Sequence, residues 1–222
     1  MTVLAASSVM AQATAEDYGD TVHVIQPKPV LQQGRFALTP RAGMTINDSM
    51  YRNFMIGANA NYYLGERFYL GGLFQWYEFG DTIGGPTQAF DDLNSTTQAA
   101  ADAPYLNWAA GAEIGFAPIY GKFALFNRNI VYYDISLSAG GVFTDSSSIQ
   151  DPAGNDGPGG TVSLSTRMFF NDWMAFNFEI RDVIYMGNVI NEGSVLSHSV
   201  TAGLGLSLYL PMGFEYSEAH AR

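Results

Sequence analysis

Along most of this chain, apolar residues alternate with small or polar ones at a period of two, the repeat of a strand whose two faces meet different surroundings. The last such stretch is the clearest. Val200, Ala202, Leu204, Leu206, Leu208 and Leu210 fall on one face, and Ser199, Thr201, Gly203, Gly205 and Ser207 on the other. Phe54, Ile56, Ala58, Ala60, Tyr62 and Leu64 oppose Asn53, Gly57, Asn59 and Asn61 in the same way. Leu106, Trp108, Ala110, Ala112, Ile114 and Phe116 oppose Asn107, Gly111, Glu113 and Gly115, while Val162, Leu164, Met168 and Phe170 oppose Thr161, Ser163, Ser165 and Arg167. The alternation predicts about eight strands, over 34–46, 51–64, 67–79, 104–117, 129–143, 160–170, 173–186 and 195–210.

The segments between them vary in length. Gly65-Glu66 and Asn171-Asp172 read as tight turns, and Pro118–Arg128 as an intermediate connection. Gly80–Ala103, Thr144–Gly159 and Gly187–Ser194 read as long loops, and Asn47–Met50 as a short hairpin. Two irregularities are expected within strands. Asp182 falls on the otherwise apolar face of its strand, which calls for a bulge or an early strand end, and Pro40 lacks the amide that a ladder needs.

Composition decides what kind of sheet this is. Hydrophobic residues make up 47% and charged residues 14%, below the roughly 25% usual for soluble domains. The sequence has no run of eighteen apolar residues, so a membrane-spanning helix is excluded. The strand solution in lipid is a closed barrel, because open edges would leave backbone groups unpaired. The fold expected is therefore all-β, a closed antiparallel transmembrane β-barrel whose lumen is filled by side chains.

Charge placement agrees with that choice. Arg35, Arg41, Glu113, Asp134, Arg167, Glu179 and Arg181 lie on the small, polar faces, where they are expected to pair inside the lumen. A charge on the opposite face, at mid-bilayer, would cost about 2–4 kcal/mol. Aromatics cluster near strand ends and read as two interfacial girdles, with Tyr62, Tyr63, Phe68, Tyr69, Phe169, Phe170, Trp173 and Tyr209 at the inner one. Trp76, Tyr77, Phe79, Tyr105, Trp108 and Tyr185 are assigned to the outer one.

The N-terminus holds Val3-Leu4-Ala5-Ala6 and then Ala11-Gln12-Ala13, which resembles a small-x-small cleavage site. The expected layout is a residual signal peptide over 1–13, a periplasmic tail over 14–32, the barrel over 33–210 and a periplasmic C-terminal tail over 211–222. A net charge of −11 argues against nucleic acid as a partner, and the absence of cysteine excludes disulfides and thiolate metal sites.

Candidate chemistry is sparse. Of three histidines, His23 and His220 lie in the tails, and His198 is in phase with Val200 on the lipid side, with no carboxylate evidently placed to orient it. Barrel proteases and acylases need such a pairing, so a lipid-modifying enzyme is the third reading and no catalytic residue or cofactor is assigned. An open pore is the second reading, disfavoured because eight strands leave room only for side chains. The acidic loop Asp151-Pro152-Ala153-Gly154-Asn155-Asp156 does not match a Ca²⁺ loop in spacing and is read as a solvated loop.

Two resemblances add to this. Thr201, Gly203, Leu206 and Leu208 match the polar-x-Gly-x-x-apolar-x-apolar pattern, resembling the β-signal that barrel-assembly machinery recognises in a last strand. The stretches Gly34-Arg35-Phe36-Ala37-Leu38-Thr39-Pro40-Arg41-Ala42-Gly43, Ala60-Asn61-Tyr62-Tyr63-Leu64, Pro118-Ile119-Tyr120-Gly121-Lys122-Phe123 and Tyr132-Tyr133-Asp134-Ile135 resemble the outer-membrane β-barrel family of myxobacteria and their relatives. Some members of that family serve the gliding-motility (focal-adhesion) machinery. The resemblance implies a structural barrel in a trans-envelope complex. It would bind outer-membrane lipid or lipopolysaccharide, other outer-membrane barrels or an adhesin, and periplasmic envelope proteins.

Overall fold

The structure, a computed structural model, describes residues 30–48, 51–77, 85–97, 104–125, 129–149, 154–189 and 193–213. In chain order the elements are β1 (Phe36–Thr45), β2 (Tyr51–Arg52), β3 (Phe54–Tyr63), β4 (Phe68–Trp76), β5 (Gly85–Pro86) and α1 (Gln88–Thr97). They continue with β6 (Pro104–Leu125), β7 (Asn129–Ser148), β8 (Asn155–Asn171), β9 (Met174–Val189) and β10 (Gly193–Leu210). Eight of the ten strands, all but the two-residue β2 and β5, form one closed antiparallel ring in the order β1-β10-β9-β8-β7-β6-β4-β3.

The ring closes with a stagger. Following partners from Phe36 leads through Tyr62, Leu70, Ile114, Ala139, Val162 and Asp182 to Val200. The carbonyl of Val200 accepts from the amide of Ile46, just past the end of β1 and ten residues along the chain from Phe36. Such a stagger in a ring of eight goes with strands tilted by about 40° to the barrel axis and an interior just wide enough for side chains. At roughly 3.3 Å per residue, the climb from Leu210 to His198 on β10 is about 30 Å, the thickness of a bilayer core.

The period-two pattern becomes an inside-out distribution. Leu38, Ile56, Leu70, Ile114, Leu137, Leu164 and Leu204 point away from the axis and are exposed, Ile114 by 64%. Arg41, Glu113, Ser138, Ser163, Glu179 and Thr201 point inward and are buried. An apolar outer wall around a polar interior is the arrangement that lipid imposes, and the chain is a membrane-spanning outer-membrane barrel. The first and last described residues, Val30 and Gly213, and the short turns β3–β4 and β8–β9 share one end, taken as the periplasmic or inner end.

Several expected boundaries move. The segment 118–128 is not a connection: β6 runs on to Leu125, and only 126–128 separate it from β7. A strand reading stops at Pro118, but a register shift between Phe116 and Ile119 absorbs that proline and pairing resumes beyond it. At the outer end, β7–β8 and β9–β10 extend to within a few residues of their tips, so the loops expected over 144–159 and 187–194 are mostly ladder. The long outer connection lies between β4 and β6, and it contains β5 and α1. Helix α1 follows Thr87, whose carbonyl accepts from the amides of Phe90 and Asp91, and Asp91 lies in its first turn, where the helix dipole favours an acid. Strand β5 pairs with β2, so the strand expected over 51–64 is broken at Asn53 into a piece of outer loop and a wall strand.

The two expected irregularities have different outcomes. At Pro40 the β1–β10 ladder skips Thr39 and Pro40 without changing register, while the β1–β3 ladder runs straight through. At Asp182 there is no bulge: β9 pairs with β10 continuously from Met174 to Val189.

Candidate functional site

The lumen is the first place to look, because a strand barrel can hold or pass ligands there. Strand alternation brings all seven expected lumen charges inside, none more than 5% exposed. At mid-height, Glu179 from β9 is the hub. Its Oε1 accepts from Arg41 of β1 and, at 2.6 Å, from Nε of Arg181. Arg181 Nη1 reaches Glu113 Oε2 on β6 at 2.7 Å, and Ser138 donates to the same oxygen at 2.7 Å. The cluster ties strands on opposite sides of the ring through charge-assisted bonds in a water-poor interior, where each is stronger than at a surface.

Below it, toward the inner end, Arg167 Nε donates to Asp134 Oδ1 at 2.7 Å, and Gln32 Nε2 donates to Asp134 Oδ2 at 2.9 Å. The Arg167 guanidinium lies over Tyr63 at 5.3 Å and Tyr69 at 5.7 Å. Arg35 sits lowest of the seven. Its guanidinium donates to the carbonyls of Leu31, Asp172, Tyr209 and Pro211, at 2.6 Å for Asp172, and closes the mouth.

Two apolar clusters bracket this ionic middle. The inner one joins Val30, Ala37, Tyr63, Tyr69, Phe169, Ala175 and Tyr209. The outer one joins Met55, Leu73, Tyr77, Leu106, Ala109, Val142, Val183 and Tyr185. Tyr69 lies so close over Gly115 that any Cβ there would meet its ring, which explains a glycine at that point of β6. Above the outer cluster a cavity of about 300 Å³ opens between the rims, lined in part by Asn53, Tyr105, Ser197 and Ser199.

These clusters correct the aromatic girdles. Tyr62 and Trp76 are exposed on the wall and Trp108 and Trp173 are half-buried, but Tyr63, Tyr77 and Tyr209 are at most 2% exposed, inside the lumen. Tyr69, Phe169 and Tyr185 also point inward. Neighbouring residues on a strand cannot share a face, so exposed Tyr62, Trp76 and Leu210 force Tyr63, Tyr77 and Tyr209 to the other side. Leu106 turns inward for another reason: a register shift between Leu106 and Trp108 takes it out of phase with the rest of β6. The tail expected to end at residue 32 also enters the barrel, since Val30 and Gln32 are buried in its inner mouth.

On the wall, the lone histidine has a partner. His198 Nδ1 stands 2.9 Å from Asp182 Oδ2, side chains 48% and 30% exposed. The two are on adjacent strands near the outer boundary, His198 being two residues from the Val200–Asp182 pair. Sequence reading missed this because it compared residues along one strand. Partners across a ladder are set by register, and Asp182 was the residue that did not fit its own face. Asn47 extends the seam above the last β1 pair, accepting from the amide of Val200 and donating to the carbonyl of His198, both at 2.8 Å.

Of the β-signal residues, Thr201 and Gly203 face inward and Leu206 and Leu208 outward, all on β10, the strand that closes the ring against β1. Glu78, Phe79, the tails over 1–29 and 214–222 and the acidic segment 151–153 lie outside the described residues. Among the described residues, no group of three or more His, Cys, Asp or Glu could hold a metal ion.

No protein-family model and no curated protein sequence matches the chain. Among solved structures it is similar to the N-terminal β-barrel domain of Pseudomonas aeruginosa OprF, at 12% identity and a TM-score of 0.46, over 80% of this chain and 98% of that one. It is likewise similar to Neisserial surface protein A, at 13% identity and a TM-score of 0.42, over 79% and 97% of the two chains. Ail, the attachment invasion locus protein of Yersinia pestis, is 11% identical with a TM-score of 0.42, over 80% and 99%.

Proposed function

We propose that the chain is a non-catalytic, partner-binding barrel of the outer membrane, a structural component of a trans-envelope assembly of the gliding-motility kind. One observation carries this reading: the lumen is packed at three levels, by the inner aromatic cluster, the Glu179 hub and the outer apolar cluster. A filled interior leaves the wall, the outer loops and the periplasmic end as working surfaces. Outer-membrane barrels or an adhesin would dock on the wall and outer loops, in lipid or lipopolysaccharide, and periplasmic envelope proteins on the inner end. The β10 residues Thr201, Gly203, Leu206 and Leu208 would serve the barrel-assembly machinery before any of this.

The experiment is co-purification from native membranes after gentle solubilisation. Stoichiometric recovery of envelope proteins is expected, and recovery of the barrel alone would count against the assembly. Purified protein in planar bilayers tests the filled lumen, since a large, steady conductance would replace this reading with a pore. The His198–Asp182 pair favours a second reading, a lipid-modifying enzyme, because an oriented histidine at the outer leaflet is what such chemistry requires. Loss of a lipid-remodelling activity on His198→Ala would establish it.

A further inference from the structure

Two strands continue where the barrel stops. β4 pairs with β6 only as far as Phe116, and β8 pairs with β7 only from Tyr132. β6 and β7 go on pairing with each other from Ile119 to Leu125. The result is a two-stranded ribbon hanging about 15–20 Å below the inner rim, at roughly 3.3 Å per residue and the tilt of the wall. Ile119, Tyr120, Phe123 and Ile130 are exposed on it, Ile130 by 58%. Past the rim, no described strand pairs with the outer side of β6 along 118–125, or with that of β7 along 129–131. A two-stranded ribbon is marginal alone, and a long apolar edge invites pairing with other chains, so proteins ordinarily cover one.

The chain itself supplies a cover at that spot. Residues 30–33 cross the inner mouth at the ribbon's root. Val30 belongs to the cluster against which Tyr132 packs, and Gln32 bonds Asp134 of β7. The amides of Gln32 and Gln33 donate to Glu66, at 3.1 and 3.0 Å, beside Arg67, whose carbonyl accepts from Ala117 of β6 at 2.8 Å. The 29 residues before Val30 therefore start next to the β6 edge. Within them Thr21-Val22-His23-Val24-Ile25 is rich in β-branched residues, and a residue that precedes a proline, as Gln26 and Lys28 do, prefers extended backbone over helix. Charge is complementary: residues 14–26 carry Glu16, Asp17 and Asp20 and no Lys or Arg, whereas residues 117–131 carry Lys122 and Arg128 and no acid.

We propose that Thr21–Gln26 adds to the β6 edge as a third, antiparallel strand, with the acids at 16–20 set toward Lys122. The direction follows from the chain, which runs toward the barrel through this segment while β6 runs away from it. The four residues from Gln26 to Val30 span up to about 14 Å, enough to reach the edge from the mouth. A strand from the same chain closes the edge against a second copy. This goes beyond the role proposed above and does not depend on it.

The chain has no cysteine, so paired nitroxides can be placed at will. In the full chain in lipid nanodiscs, labels on Val24→Cys and Ala124→Cys should give one narrow distance distribution centred below about 30 Å, unchanged by dilution with unlabelled protein. Adding Lys122→Glu should broaden it. A broad, coil-like distribution in the parent pair overturns the proposal, and so does a narrow one that disappears on dilution, which would make the occupant a second copy. If the labelled chain does not fold, deletion of residues 16–26 from the otherwise native protein decides the matter. Amide exchange over 119–125 should accelerate at least tenfold, and unchanged exchange overturns the strand.

Discussion

The two ends of the lumen are both closed by apolar side chains, but they are built differently. The inner cluster is mostly aromatic, with Arg35 and Arg167 seated against its rings and Val30 contributed from before the first strand. The outer cluster is mostly aliphatic and comes from wall strands and the residue after β4; its two tyrosines end in neutral bonds, Tyr77 to Gln75 and Tyr185 to the carbonyl of Pro104. The inner end is therefore held by charge and by a strap of chain, the outer end by packing and neutral hydrogen bonds. Damage to charge should be felt at the inner end, and damage to packing at the outer end.

The largest effect should come from Arg167→Ala, which takes the guanidinium away from Asp134, a buried carboxylate that also accepts from Gln32. Removing one member of a buried pair costs about 3–5 kcal/mol. Urea unfolding in detergent, followed by the gel-mobility difference between folded and unfolded barrels, measures it. A loss under about 1 kcal/mol would mean that the inner end does not depend on charge. Next is Leu106→Ala in the outer cluster, where a large-to-small change costs about 2–5 kcal/mol. If Leu106→Asn, which keeps the branched shape and the number of side-chain heavy atoms, were as mild as a surface change, the outer end would be polar-tolerant and the contrast would fail.

This contrast was half legible in the sequence. Strand number, the two faces and the inward charges follow from alternation, because in a closed barrel each residue has only two directions to point. The aromatic caps were misplaced since Tyr63, Tyr77 and Tyr209 were grouped by nearness to strand ends, although Leu208 and Leu210 already assign Tyr209 to the lumen. Three things could not be read from single strands. The Leu106 turn depends on a bulge, the His198–Asp182 pair on cross-strand register, and the ribbon on pairing that resumes past Pro118.

A smaller effect tests the strap. Gln32→Ala removes the amide donor from Asp134 Oδ2 while keeping Arg167 on the other oxygen. Loss of one buried hydrogen-bond partner costs about 1–3 kcal/mol. If the strap matters only at the inner end, amide exchange should rise around 30–36 and 132–134 and stay unchanged around Leu106 and Val183. A rise at both ends would show the lumen to be one cooperative unit, and the distinction between its ends would lose its meaning.

The smallest effect expected is His198→Leu. Asp182 is a carboxylate on the lipid-facing wall, and what it costs depends on depth. At the bilayer midplane a stranded charge would be expensive, whereas near the interface the penalty for a charged wall residue falls to about 0–1 kcal/mol. The climb along β10 puts His198 at the outer boundary, and the ladder puts Asp182 slightly below it, within 2.9 Å of the histidine ring. A half-exposed pair of this kind contributes at most about 1 kcal/mol in its own right. The expected loss is therefore under about 1 kcal/mol at neutral pH, compared with about 2–4 kcal/mol for Leu204→Arg at mid-wall on the same strand. Should His198→Leu cost as much as Leu204→Arg, Asp182 would have to lie well inside the hydrocarbon. The boundary would then move outward along β9 and β10, and the outer apolar cluster would sit at mid-membrane instead of beneath the outer rim.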